Sequence, residues 1–432
     1  MGREIERLAE FVATARWQDV PQPVREHTKL VLFDTLGVVL AGSERPEVKA
    51  LTRALASGGA ATVYARGMPT AEPRMAALLN GIAGRSIELC EGLRLASGQA
   101  AMQVLPAVLA AGEARASTGR EILSALLLGY EVAGRLASGF TPRPLAHQNG
   151  QVSLLAAAAA GARLWGFDAA DTARTMRIAT TLLLTPSYLD AVAGASALNV
   201  AGGLSGFAGA LAPELARAGF TAREDAVETA LGSLVGSGFS PENVCAALGE
   251  SWQITRNYFR LHACCNPIHP ALDCLSEILA ELRPQPEEVA RIEVATYRFA
   301  SVMQNPEPAN YFAAKYSLPH AAAAMVVRGN AGFSALDDSA LADPAIAALR
   351  ARVDVVEDPA MSTLVPRLKP ARVTVSLADG RQSTRARDSH RGDFDEPFSE
   401  AEIRGKFREL AATVLTDAGV AEVGAALDRC ED

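Results

Sequence analysis

The stretch Tyr258 to Asp273, YFRLHACCNPIHPALD, sets Arg260, His262, Cys264, Cys265 and His269 within sixteen residues. Only six histidines occur in the chain, at positions 27, 147, 262, 269, 320 and 390. Two of them seven residues apart beside a guanidinium put groups that exchange protons near neutrality next to a permanent positive charge. Arg260 cannot serve as a base, because its pKa exceeds ~12, but its planar fork suits a carboxylate held by two hydrogen bonds. His262 is then the candidate acid or base, with His269 and Glu91 as competitors. Two other readings stand beside this one. A zinc cluster of Cys264, Cys265, His262 and His269 lacks the C-x2-C spacing and a second cysteine pair, and is set aside. The alternative that the cysteines are small core residues and the histidines satisfied polar groups at a domain junction stays open.

Something must hold these residues in place. Pro267 and Pro270 bias the residues before them away from helix, which predicts an irregular segment from Arg260 to His269 running into a helix at Ala271. Ahead of it, Leu30, Val31, Leu32, Phe33, Leu36, Val38, Val39 and Leu40 surround a single Asp34, the pattern of a helix buried on nearly every face. From about residue 76 to 248 the chain is rich in alanine and leucine with glycine punctuation, predicting successive packed helices at 102–114, 121–138, 152–166 and 204–217. The glycine-rich run from Gly202 to Gly206 lacks a lysine to reach a phosphate and reads as close helix packing. After the Arg283-Pro284-Gln285-Pro286 break, β-branched alternation predicts a strand at 289–297. Period-two residues Val373, Val375 and Leu377 before Ala378-Asp379-Gly380 predict a hairpin continuing through 381–387. Tyr316 to Gly329 reads as helical, and Ser399 with Glu402 forms a capping-box signature for a helix through Val414, with a last helix at 420–427.

The expected fold is therefore mainly α: a large helical domain of residues 1–269 and 393–432, interrupted by a smaller α+β lid of residues 270–392. A chain of 432 residues that is 49% hydrophobic can bury a large core. Its formal charge of −8 and the lack of a basic run exclude a nucleic-acid partner. No segment has the form of a signal peptide or a bilayer span, so no membrane partner and a cytoplasmic location are expected. Six cysteines in a chain of this length do not resemble a disulfide framework. The signatures of phosphate-binding loops, dinucleotide folds, serine hydrolases and zinc proteases are absent.

Six stretches together resemble the MmgE/PrpD family: LVLFDTLGVVLAGS (30–43), LLLGYEVAGRLA (126–137), AAAAAGARLWGFD (156–168), ACCNPIHPALD (263–273), AAKYSLPHAAAAMVVRG (313–329) and PARVTVSLADG (370–380). The family includes 2-methylcitrate dehydratase, cis-aconitate decarboxylase and iminodisuccinate epimerase. The resemblance implies a helical domain built from both chain ends, an α+β lid, a site in the cleft between them, homodimers, and chemistry that uses no metal or organic cofactor. It also implies a small carboxylated substrate that loses a proton, or a carboxylate, next to a carboxylate.

The departures from the family pattern are as informative as the match. Glu91 stands near a family aspartate and Gln99 near a family histidine. Near Ser196 and Ala197 no lysine is found where the family carries one. Arg260 replaces a lysine, His262 a tyrosine and His320 a later tyrosine, while His147 and His269 stay in place. Arg260, Gln99, His147, Lys315, Tyr316 and His320 are thus candidate substrate contacts, each with ordinary packing as the alternative. Two function classes follow: a lyase or isomerase on a small acid with a rewired site, or a catalytically silent relative that binds a ligand or partner in the same cleft. With two lysines and a histidine missing, turnover of 2-methylcitrate or cis-aconitate is not expected.

Overall fold

The computed structural model describes residues 3–94 and 98–432. It is mainly helical, with a smaller α+β portion, as the periodicity predicts. The Gln22–Gly42 helix is buried at every position from Val31 to Gly42, Asp34 included. Around it and beside it pack the helices Pro73–Arg85, Ala100–Ala114, Gly119–Gly139, Val152–Leu164 and Leu198–Arg217. The glycine run explains one of the closest approaches. A Cβ on Gly81 would stand 2.7 Å from the Gly203 Cα, and one on Gly203 would stand 2.3 Å from the Leu78 carbonyl. Only hydrogen at both positions lets the Pro73–Arg85 and Leu198–Arg217 backbones touch.

The chain then builds a four-stranded sheet in the order Val353–Glu357, Val289–Thr296, Ala371–Leu377, Gln382–Arg387. The last three strands are antiparallel, whereas Val353–Glu357 pairs in parallel with Val289–Thr296. The sequence pattern does not predict Val353–Glu357: five residues, VDVVE, with only two buried side chains, carry little period-two signal. The helices His269–Leu282 and Leu318–Arg328 cover the sheet, and Val294, Val373, Val375 and Leu377 face them in one apolar cluster. The helix at Glu400–Ala411, opened by the Ser399–Glu402 capping box, returns to the long N-terminal helix. There Phe407 meets Phe33 edge-on at 5.2 Å, and Lys406 forms a fully buried ion pair with Asp34 at 2.5 Å.

The helical part is not free of strands. Gly92–Leu93 pairs with Asn257–Tyr258, and Phe140–Pro142 with Gly236–Phe239, both antiparallel. The first ribbon docks the Tyr258–His269 segment onto the strip of chain after Arg85. A Cβ on Gly92 would lie 2.3 Å from the Tyr258 Oη, so glycine is what lets that ring cross the ribbon. No helix among the described residues is long and apolar enough to cross a membrane.

Candidate active site

Arg85, Glu88, Gln99, His147, Tyr188, Tyr258, Arg260, Cys265, Asn266, Tyr297, Tyr316 and Lys369 line a chamber of about 230 Å³. Each element ends where it delivers its residue. Arg85 closes the Pro73–Arg85 helix, and Glu88 follows three residues on with φ of +51°. A glutamate held in the left-handed region is strained and persists only where its surroundings over-determine it. Gln99 is the N-cap of the Ala100–Ala114 helix, and His147 lies in the loop before Val152–Leu164. Tyr297 directly follows the Val289–Thr296 strand, and Lys369 stands two residues ahead of Ala371–Leu377.

Glu88 is the anchor of the inner wall. Its carboxylate pairs with Arg85, accepts from Arg260 Nη1 at 2.9 Å and accepts from Tyr316 Oη at 2.8 Å. Tyr316 in turn accepts from Arg85 Nη2 at 3.1 Å. Burial alone would raise the Glu88 carboxyl, but the Arg85 and Arg260 guanidiniums outweigh it and hold the group down at about 2. Glu88 is therefore an anion at any ordinary pH. Two arginines against one carboxylate leave the wall with excess positive charge, the field that attracts a carboxylate into a low-dielectric space.

Arg260 has little of its fork to spare. Its Nε donates to the Cys90 carbonyl at 2.5 Å, Nη1 to Glu88 and to the Cys264 carbonyl, and Nη2 to Cys90 Sγ at 3.3 Å. One N–H of the five remains, so the two-pronged clamp expected from the sequence is not available in this arrangement.

Other groups keep their capacity. His147 Nδ1 accepts from the Asn149 backbone N–H at 3.2 Å, and its ring lies 4.4 Å from that of Tyr188. Burial, with Arg85 nearby, pushes its pKa down to about 3, so the ring is neutral and carries its proton on Nε2. Among the described residues Gln99 Oε1 and Tyr297 Oη are buried without a hydrogen-bond partner. Lys369 Nζ donates to Asn266 Oδ1 at 3.3 Å, and Asn266 is held from behind by His390 at 2.7 Å. Burial lowers the Lys369 pKa from the ordinary lysine range; Asp393 opposes this, and Arg94 and Arg260 add to it.

Of the residues singled out in the sequence, the fold brings Arg260, Gln99, His147 and Tyr316 to the chamber. Five others lie behind its walls. Glu91 is fully buried, accepting from Tyr130 Oη at 2.6 Å and from the Ala101 N–H at 2.9 Å, and burial raises it to about 7. His262 bonds Asp273 at 3.0 Å. His269 bonds the Cys264 carbonyl at 3.0 Å and stacks edge-on between His262 and His390. Burial, and then the neighbouring imidazoles, hold His269 neutral, well below its usual value. Lys315 donates to the Leu336 carbonyl at 2.7 Å, and His320 contacts Arg350 at 3.4 Å near the start of its helix. Each of the five has a contact to a protein partner, and none of them lines the chamber.

Arg85, Glu88, Tyr258, Tyr297 and Lys369 do not stand out in the sequence as site residues. For Lys369 a signal does exist. The chain holds only five lysines, at 29, 49, 315, 369 and 406, amid many arginines. A lysine just before a strand in so arginine-rich a chain supplies an amine whose pKa burial can shift, unlike arginine's fixed charge. No comparable signal marks Tyr297, which reads as a strand-end aromatic.

A mainly helical scaffold with a small mixed sheet is the fold that the sequence resemblance implied. The MmgE/PrpD N-terminal domain matches residues 6–240 and the MmgE/PrpD C-terminal domain residues 262–430, and the chain belongs to the MmgE/PrpD family. It is 27% identical to the cis-aconitate decarboxylase-like protein oryM of Aspergillus oryzae, across 96% of this chain and 92% of that relative. Identity to the cis-aconitate decarboxylase of Aspergillus terreus is 26%, across 98% and 93%. Identity to the cis-aconitate decarboxylase of Mus musculus is 24%, across 94% and 86%.

Proposed function

We propose that this protein is a lyase or isomerase that works on a carbon next to a carboxylate of a small acid, with Lys369 as the proton-transfer group. The observation that carries this reading is the pairing of an over-charged wall, Arg85 and Arg260 against Glu88, with a lysine of lowered pKa in the same 230 Å³ chamber. The excess charge draws in the substrate carboxylate. In its unprotonated form the Lys369 amine takes the proton from the neighbouring carbon, and the electron pair left there spreads onto the carboxylate oxygens. His147 Nε2–H and the Tyr297 hydroxyl are donors placed to meet that developing charge. If a carboxylate leaves as carbon dioxide instead, the same carbanion results, and the Lys369 ammonium returns a proton to it. Relatives named as decarboxylases are in keeping with either course. His262, His269 and Glu91 act in this reading as supports of the wall.

The test is proton exchange. Purified protein is incubated in D₂O with a panel of di- and tricarboxylic acids and followed by NMR for deuterium uptake next to a carboxylate, double-bond formation or carbon dioxide loss. Exchange that disappears in Lys369→Met while the acid still binds supports the proposal. Acids that bind without any exchange would establish the silent, ligand-binding relative instead. Within the panel, cis-aconitate and 2-methylcitrate are expected to turn over more slowly than about 1 per second.

A further inference from the structure

A second, larger chamber of about 710 Å³ adjoins the first, and Arg94, Gln148 and Pro366 line both. Its character is different. Phe140, Phe394, Pro142 and Leu368 give it apolar walls, and the exposed guanidiniums of Arg256 and Arg367 stand at its edge. At the junction, Arg94 has its charge spent: Nε donates to Asp393 at 2.9 Å, Nη1 donates to the Arg367 carbonyl at 3.2 Å, and the guanidinium lies 4.5 Å over the Phe394 ring. A neutralised arginine stacked on an aromatic ring is no barrier to a hydrocarbon chain.

We infer that the outer chamber is a substrate subsite, and that the acid turned over here carries an apolar arm that runs from its carboxylated end past Gln148 and Pro366 onto Phe140 and Phe394. The inference rests on the reading of the inner chamber as the carboxylate site and extends it. An acid small enough for the inner chamber alone would leave a contiguous apolar space open beside its reacting carbon, and binding sites of this kind are filled by the ligand that orients against them. The rim arginines steer an anionic molecule toward the mouth without entering the apolar wall.

Isothermal titration calorimetry with methyl-, butyl- and hexylsuccinate separates the two parts of the argument. Affinity is expected to rise roughly two- to fourfold for each methylene that finds the chamber. Phe394→Ser removes one wall and Leu368→Trp fills the space from another side. Each is expected to cut the ratio of hexyl- to methylsuccinate affinity by about tenfold, and agreement between the two guards against a local folding defect in either. Equal affinity across the series in the unaltered protein would overturn the arm subsite while leaving the inner chamber standing. Failure of all three acids to bind would overturn the inner chamber as well. A change in sedimentation on Phe394→Ser, with the chain-length gain intact, would assign the outer chamber to a contact between copies of this chain and overturn the inference.

Discussion

The wall formed by residues 85–91 with 258–269 and the rim formed by His147, Tyr297 and Lys369 border the same chamber, yet they use their polar groups in opposite ways. On the wall most charged groups are answered within the protein, although Arg85 Nε lacks a hydrogen-bond partner among the described residues. Arg260 reaches Glu88, Cys90 and Cys264, Lys406 donates to the Leu89 carbonyl at 2.6 Å, and Asp34 accepts from the Glu91 N–H at 3.1 Å. Four consecutive residues, Glu88 to Glu91, are thereby pinned from different elements. On the rim, Tyr297 Oη lacks a partner among the described residues and Lys369 has a single 3.3 Å bond. The difference separates two tasks. A densely bonded buried network fixes geometry and field, because losing one of its charges leaves another unpaired at high cost. Groups with spare valence are the ones able to bond a substrate or move a proton.

Breaking each side tests that division. The largest effect is expected on the rim: Lys369→Met should lower turnover by about two to four orders of magnitude with circular dichroism unchanged. The pH profile of the unaltered protein should show a limb below the ordinary lysine range, with activity rising as Lys369 loses its proton, and the variant should lack that limb. Retained activity in Lys369→Met would move proton transfer back to the wall.

Glu88→Gln should act on stability first. It leaves Arg85 and Arg260 buried without their anion, which costs about 3–5 kcal/mol by the usual measure of a broken buried pair, read by denaturant unfolding at neutral pH. Because the folded pKa of Glu88 lies at about 2, below the ordinary glutamate value of 4.5, its contribution is present above about 4.5 and is lost as pH falls toward 2. The variant should therefore lose much of the acid sensitivity of the parent over that window.

A smaller effect is expected from His262→Gln. The ring is committed to Asp273, so about 1 kcal/mol of stability should be lost with turnover nearly unchanged. A hundredfold fall in turnover would instead place His262 at the chemistry. The smallest belongs to Glu91→Gln. Glu91 is raised to about 7 in the folded chain, so its proton-linked stability is present below about 4.5 and lost as pH rises through 7. The glutamine variant should flatten that slope and otherwise behave as the parent does near pH 6.

The sequence by itself determined the scaffold. The all-round burial of the Val31 to Gly42 part of the long N-terminal helix, the alanine-rich helices, the Ala371–Arg387 hairpin and the Ser399–Glu402 cap were legible because period, turn chemistry and capping are local. The short Val353–Glu357 strand was not, since its burial pattern exists only against its parallel partner. The sequence also singled out the stretch Tyr258 to Asp273, which contributes Arg260 to the lining of the chamber. What it did not decide was which side chains of that stretch face the chamber. Tyr258, Cys265 and Asn266 line it, while His262 and His269 turn to Asp273 and the Cys264 carbonyl. That outcome depends on partners contributed by segments far apart in sequence, as Glu88 and Lys369 show. In Tyr258 to Asp273 the clustering of titratable residues marks a stretch where Arg260, His269 and Asp273 are buried. Only the tertiary structure reveals which of those charges are already answered by the protein and which are left for a substrate.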